Sequence, residues 1–295
     1  LKKRLTGNPN FWLIIFVLPA LAFYILFKLI PALEGFWFSL TNWNGINPNY
    51  KFIGFQNYIE IFLHDKKFWD SIKITVKFVV TIVIVQNAVA LGLAILIESR
   101  KKSKGLFRTI FYMPNMMSLI IGGYMWMFIF TKVLFYIADH SFLKFLDQSW
   151  MGDSRFSFLA IVIVTVWSGA GYLMVIYIAA LQGVPDSLKE AAAIDGAGAG
   201  QSFFHVTLPM IRHAFTICIF VTLSSSFQVF DVVYSLTGGG PGHATYVVAL
   251  NIFEEAFKLN KRFGYASAKS MLLFVIIMLI TLVQLMIMRR KEVEQ

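Results

Sequence analysis

One cysteine, Cys218, and five histidines are all that the 295 residues offer of the side chains that build disulfide frameworks and most transition-metal sites. A lone cysteine excludes a disulfide within the chain and a cysteine-rich metal centre, and it leaves the redox compartment unread. His64, His140, His205, His213 and His243 are scattered through the connections with no cluster of Asp or Glu, so no catalytic residue and no metal ligand is assigned, which argues against a membrane enzyme. A Gly-x-x-x-x-Gly-Lys-Ser/Thr run is missing too, and Gly238–Gly240, with no Lys-Ser after it, reads as a tight turn at a span end. There is no internal repeat, no low-complexity tract and no linker that would divide the chain, so one membrane domain over 1–295 is expected. A channel is disfavoured because no filter-like loop recurs.

What is present in excess is oil. Hydrophobic residues make up 58% of the chain and the mean hydropathy is +0.68, against roughly 45–50% apolar usage in a soluble domain. The excess is gathered into runs of about 20 residues, the length that crosses a ~30 Å hydrocarbon layer as a helix. Six are expected: Phe11–Pro31, Ile72–Ile97, Phe111–Phe130, Ser157–Ala180, Phe215–Val229 and Met271–Met288. Lys73 and Lys77 start the second and can snorkel outward. The stretch Val133–Leu146 is too short and too charged for a seventh and reads as interfacial or external. Lys2, Lys3 and Arg4 precede the first run as in a signal peptide, but the run is long and lacks a small-residue cleavage site before Trp37, so it reads as a retained span. The fold class is therefore all-α, a polytopic membrane protein of six helices.

Orientation follows the density of Lys and Arg beside span ends. Arg100, Lys101, Lys102, Lys104 and Arg108 follow the second span, and Arg289, Arg290 and Lys291 follow the sixth. Both places read as cytoplasmic, which puts both termini and the connection Leu181–Arg212 inside, even though Lys66, Lys67, Lys258, Lys261 and Arg262 fall in longer loops of mixed charge on the other side. The net charge of +10 then requires no nucleic acid; anionic lipid at the inner surface accounts for it.

The inner connection is the most specific stretch. Val184–Ser187 sets a turn, Leu188–Ile194 is a strong helix former, and Gly196, Gly198 and Gly200 break it before Phe203–Pro209 returns to the membrane. Small alanines let another surface come close, so a short docking helix along the inner face competes with an ordinary intracellular loop.

The run Glu190, Ala191, Ala192, Asp195, Gly196, then Val206, Leu208 and Pro209, resembles the signature loop of the membrane subunits of binding-protein-dependent ABC importers. The resemblance covers nearly the whole chain and is to the sugar-importer branch, the maltose and glycerol-phosphate type permeases. It includes Ala180, Leu181, Gln182, Val184 and Pro185 before the loop, Leu236–Pro241 after the fifth span, Phe263–Ala268 leading into the sixth, Phe55, Asn57 and Tyr58, and Phe107, Arg108, Phe111 and Pro114. It implies a type I importer permease fold in a prokaryotic plasma membrane, and a non-catalytic subunit. Its partners would be a second related permease, two cytoplasmic ATPases that bind ATP and Mg²⁺, and an extracellular solute-binding protein. Residues 182–212 would be the coupling loop, with Glu190, Ala191, Ala192, Asp195, Gly196, Leu208 and Pro209 seated against an ATPase. The outer loops Ala32–Ser71 and Thr131–Phe156 are too short for the extra domain of the maltose-type protein.

Polar groups inside a span are costly unless they face a partner helix or a wet cavity, so Ser224, Ser225, Ser226, Gln228 and Asp231 are expected to point inward. Hydroxyls and amides suit a neutral sugar, and Trp167 and Tyr172 offer faces for stacking. The resemblance places the transport site near Gly169, Tyr172, Thr222 and Ser226. Some positions that carry asparagine in the maltose-type protein are hydroxylic or aliphatic here, so the same sugar is not implied. Packing between helices is the competing role for any one of these serines. An anionic solute would ask for a cation that the fourth and fifth spans do not carry, unless the second permease supplies it.

Overall fold

Hydrocarbon leaves the backbone of an apolar run no water to bond, so its N–H and C=O groups must pair within the segment, and helices result. The computed structural model describes residues 9–100, 102–258 and 261–289. Among these no strand forms, and a single antiparallel bridge joins Thr41 to Phe52. In chain order the helices are α1 (Phe16–Ser39), α2 (Gln56–His64), α3 (Lys66–Glu98), α4 (Lys104–Tyr112), α5 (Leu119–His140), α6 (Ser154–Gln182), α7 (Asp186–Ile194), α8 (Ala199–Met210), α9 (Arg212–Phe227), α10 (Asp231–Leu236), α11 (Val248–Phe253) and α12 (Phe263–Arg289). Five of them, α1, α3, α5, α6 and α12, are long and apolar enough to cross a membrane; α8 and α9, bent by 68° from one another, make a sixth if the pair is one span. Lys2, Lys3, Arg4, Lys101, Arg290 and Lys291, on which part of the orientation argument rests, lie outside the described residues.

The spans run longer than their apolar cores, and the third is shifted. A 3₁₀ turn at Met113–Met116 carries Pro114 at its start, Met117 is extended, and the crossing helix begins at Leu119. It then runs to His140, taking in half of the stretch expected to be interfacial, with a π-turn at Ile129–Val133 that contains Lys132. Pro114, which has no N–H to donate, sits in the first turn of the 3₁₀ segment, where none is required, and marks the break.

The chain folds into two compact units: one holds the residues up to Asp65 with Ile252–Phe274, the other Lys66–Asn251 with the residues from Val275 on. In the first unit, the residues that carried the resemblance outside the loop hold the chain in place. Buried Asn57 donates from Nδ2 to the carbonyls of Ser39 and Thr41 at 2.8 and 2.9 Å, and Tyr58 shares a 2.7 Å hydrogen bond with the Ser39 hydroxyl. Trp43 stacks on Phe38 at 4.1 Å and meets Phe263 edge-on. Arg262 donates twice to Glu60, at 2.8 and 2.6 Å, and this guanidinium holds the Glu60 carboxyl below its usual range. Lys269, 1% exposed, pairs with Asp65 at 2.8 Å and Glu255 at 3.1 Å, and the Tyr265 hydroxyl donates to Asp65.

In the second unit α3, α6 and α9 pack around small side chains. Ala90 and Ala94 of α3 face Ala170, Met174 and Tyr177 of α6, and Ala214 and Cys218 of α9 close the cluster. Small residues four apart let helix backbones approach where lipid supplies no hydrophobic drive. Gly171 is the tightest of these approaches: a β-carbon there would strike the backbone of Phe111 and Tyr112, so only glycine lets α4 lie on α6. Glu98, at the end of α3, accepts from Lys104 and Arg108 of α4 and from Gln182 of α6, which ties three helix ends together.

A candidate solute cavity and a helical loop

The polar residues of α9 have to find partners, and three of them, Thr222, Ser225 and Ser226, line a cavity, whereas Ser224, expected to point inward, is not among its lining. A space of about 320 Å³ opens where α3, α6, α9 and α10 meet the 3₁₀ turn, lined by Gln86, Asn115, Thr165, Ser168, Tyr172, Thr222, Ser225, Ser226, Gln228 and Asp231 among others. Gly169 also lines it, and a β-carbon there would collide with the Gln86 amide, so the glycine leaves room for that amide. Tyr172 is 41% exposed and stands at the lip, bordering a second, apolar groove with Met113 and Met116. Trp167 is turned elsewhere: it packs edge-on against Trp126 of α5 at 5.5 Å between centroids. Of the seven residues expected along the pathway, the structure therefore brings Gly169, Tyr172, Thr222, Ser225, Ser226 and Gln228 together and sets Trp167 against a neighbouring helix.

A paired polar chain reaches the lining at Thr222. The Tyr177 hydroxyl donates to Asn87 Oδ1 at 2.8 Å, Asn87 Nδ2 donates to Thr222 Oγ1 at 3.2 Å, and the Thr222 hydroxyl donates to the Cys218 carbonyl at 2.7 Å. One bond thus crosses from α6 to α3 and the next from α3 to α9, each group satisfied as burial demands. Sequence reasoning passed over Gln86, Asn87, Asn115, Thr165 and Ser168. The signal was available for Gln86 and Asn87, two adjacent amides in the middle of an otherwise apolar run.

The connection after α6 forms two helices. α7 ends in a paired cap: Gly196 N–H donates to the Ala193 carbonyl at 3.1 Å and Ala197 N–H to Ala192 at 2.9 Å, the Schellman pattern, with Gly196 at φ +82°. α8 starts at once, and the N–H of Gly198 just before it donates to Gln201 Oε1 at 3.0 Å. Glu190, Ala191, Asp195 and Pro209 are exposed, Ala192 is half-buried, and Leu208 packs against the α3–α6–α9 cluster. Three apolar side chains also face outward here, Leu188, Phe204 and Ile194, the last 87% exposed. α6 carries both features: Tyr172 lines the cavity and Gln182, ten residues on or about 15 Å of helix, is bonded to Glu98 beside the loop.

Residues 87–293 match the family described as binding-protein-dependent transport system inner membrane component. The chain belongs to this family. It is 40% identical over 293 residues to the probable starch degradation products transport system permease protein AmyD of Thermoanaerobacterium thermosulfurigenes, covering 99% of each. It is 33% identical to the trehalose/maltose transport system permease protein MalF of Thermococcus litoralis, covering 92% of each. Its fold is similar to a chain in the crystal structure of a bacterial ABC transporter involved in the import of the acidic polysaccharide alginate, with a TM-score of 0.80, 20% identity, and 95% and 96% of the two chains covered. The permease is thus an inner-membrane component of a binding-protein-dependent transporter, with the helical fold of an ABC importer subunit.

Proposed function

We propose that this permease forms half of the path by which an ATP-driven importer takes up a carbohydrate, most simply an oligosaccharide, delivered by an extracellular solute-binding protein. The observation that carries the reading is the cavity, whose lining is rich in hydroxyls and amides with an aromatic ring at its lip, a chemistry matched to sugar hydroxyls. The names of the relatives, starch degradation products and trehalose/maltose, point the same way. A second, related permease completes the pathway, and two cytoplasmic ATPases bind ATP and Mg²⁺. α7 and α8 are the coupling element: exposed Glu190 meets a cation of the ATPase, and Leu188, Ile194 and Phe204 give that partner an apolar surface. ATPase closure moves the loop, and α6 and α9 carry the movement to the cavity as rigid helices. The permease itself performs no hydrolysis.

In the reconstituted complete transporter, Tyr172→Ala and Ser226→Leu are expected to lower saccharide uptake about tenfold while the ATPases remain bound. Ser226 is 4% exposed and lines the cavity, so a leucine there fills it. Normal uptake kinetics in both variants would sink this placement of the pathway.

Both termini and the α7–α8 loop face the cytoplasm in this reading. Cys218 is buried, so an impermeant thiol reagent has little native background. Cysteine at exposed Lys102 is expected to stay unlabelled in intact cells and cysteine at exposed Asn47 to be labelled; labelling of Lys102→Cys would reverse the map.

A further inference from the structure

The cavity lining contains a single charged side chain, the carboxylate of Asp231. Asp231 is half-buried in the first turn of α10, where its backbone carbonyl accepts the Ser235 hydroxyl at 2.7 Å, and Ser235 in turn lies against Gly123 of α5. The turn that presents the carboxylate is therefore held from behind by packing. No lysine, arginine or histidine shares the lining, and among the described residues no cation pairs with Asp231. An unneutralised carboxylate in a confined cavity acts on any charged cargo through a lower dielectric than water's.

We propose that Asp231 is a charge filter: the cavity admits neutral saccharides and disfavours anionic ones, such as uronic-acid or phosphorylated sugars of the same size. The inference rests on the reading of the cavity as a saccharide site. Neutral hydroxyls donate to the carboxylate as readily as to the surrounding amides and hydroxyls, whereas a second carboxylate or a phosphate within a few ångströms meets a like charge with no cation of this chain's lining to offset it. The fold alone does not impose this choice, since a solved structure with the same fold is that of an importer of an acidic polysaccharide.

The test is direct binding of two labelled probes, neutral maltotriose and anionic trigalacturonate, to the complete transporter in nanodiscs without its binding protein, so that this protein's own selectivity does not enter. The wild-type complex is expected to favour maltotriose by at least about tenfold at low salt, and the preference shrinks at high salt as the repulsion is screened. Asp231→Asn is expected to bring the ratio to within about threefold, Asp231→Lys to reverse it, and Asp231→Glu to preserve it. The salt response requires no substitution, so it decides even if a variant fails to assemble. A wild-type ratio near one, or a preference that neither salt nor Asp231→Asn changes, would overturn the filter while leaving the saccharide reading in place. Binding of neither probe would overturn the saccharide reading, and the filter with it.

Discussion

Replacing Gly196 by Val is expected to cut solute uptake at least tenfold, to about a tenth of the wild-type rate or less, while the chain stays folded in the membrane. Gly196 holds φ +82°, a conformation that costs an L-residue about 1–2 kcal/mol and a β-branched one more. Among the described residues, its two chain neighbours apart, nothing lies within 4 Å of the position a β-carbon would take, so the substitution meets no internal packing there. What changes is the cap: the bonds from Gly196 to Ala193 and from Ala197 to Ala192 end α7 and set its angle to α8, and both depend on that dihedral. Gly196→Asn separates the two ways glycine can matter. Asn tolerates the left-handed region, so it should keep most of the uptake if the angle is what counts and lose it if the partner ATPase needs a bare surface. Gly196→Asp probes the same surface with a charge, and Glu190→Ala should show a milder loss. The measurement is ATPase retained per permease and solute-stimulated hydrolysis with the binding protein present. Full occupancy and normal stimulated turnover in Gly196→Val would refute a coupling role.

Lys269→Met is expected to destabilise the chain by about 3–5 kcal/mol, the cost of breaking a buried ion pair by removing one partner. The ammonium is 1% exposed and bonded to both Asp65 and Glu255, whose side chains are 13% and 12% exposed, and it also lies 4.7 Å from the Tyr265 ring. Without it two largely buried carboxylates are left with no ammonium between them. The thermal midpoint in detergent, followed by size-exclusion chromatography of the heated protein, should fall by on the order of 10 °C. Neutralising the pair as well, in Lys269→Met with Asp65→Asn and Glu255→Gln, should recover much of the loss, because no uncompensated charge remains. An unchanged midpoint in Lys269→Met would mean that the cluster contributes no net stability.

Neither prediction was fully available from the sequence, for different reasons. Gly196 stood out in the loop, but whether its role was space or dihedral is a backbone angle that composition does not carry. Lys269 did not stand out at all: the sixth span was read from Met271, which left the lysine in a loop of mixed charge. In the structure α12 starts at Phe263 and buries it against Glu255, fourteen residues earlier, and Asp65, far away in the sequence. Trp167 is the opposite case. Its ring suits a sugar face, and its place in α6 is close to the cavity in sequence, but Gly169 and Tyr172 turn to the cavity while Trp167 turns to Trp126. Two residues along a helix are about 200° around it, which a reading of spans does not resolve.

The sequence by itself determined the membrane, the helical class and the family, because a 20-residue apolar run has one way to satisfy its backbone in hydrocarbon and because the Glu190–Pro209 motif and its flanks are contiguous. It determined less where polar and apolar residues mix: the third span slid past Pro114 and took up Lys132, since turns of helix at a membrane's edge are settled by packing and not by hydropathy. Only the tertiary structure decided which polar side chains share the cavity. Gln86, Asn115, Ser168, Ser226 and Asp231 come from five separate segments, and the helix rotations that bring them together are fixed by small residues such as Ala90, Ala94 and Gly171, whose effect is the close approach of backbones and not any chemistry of their own.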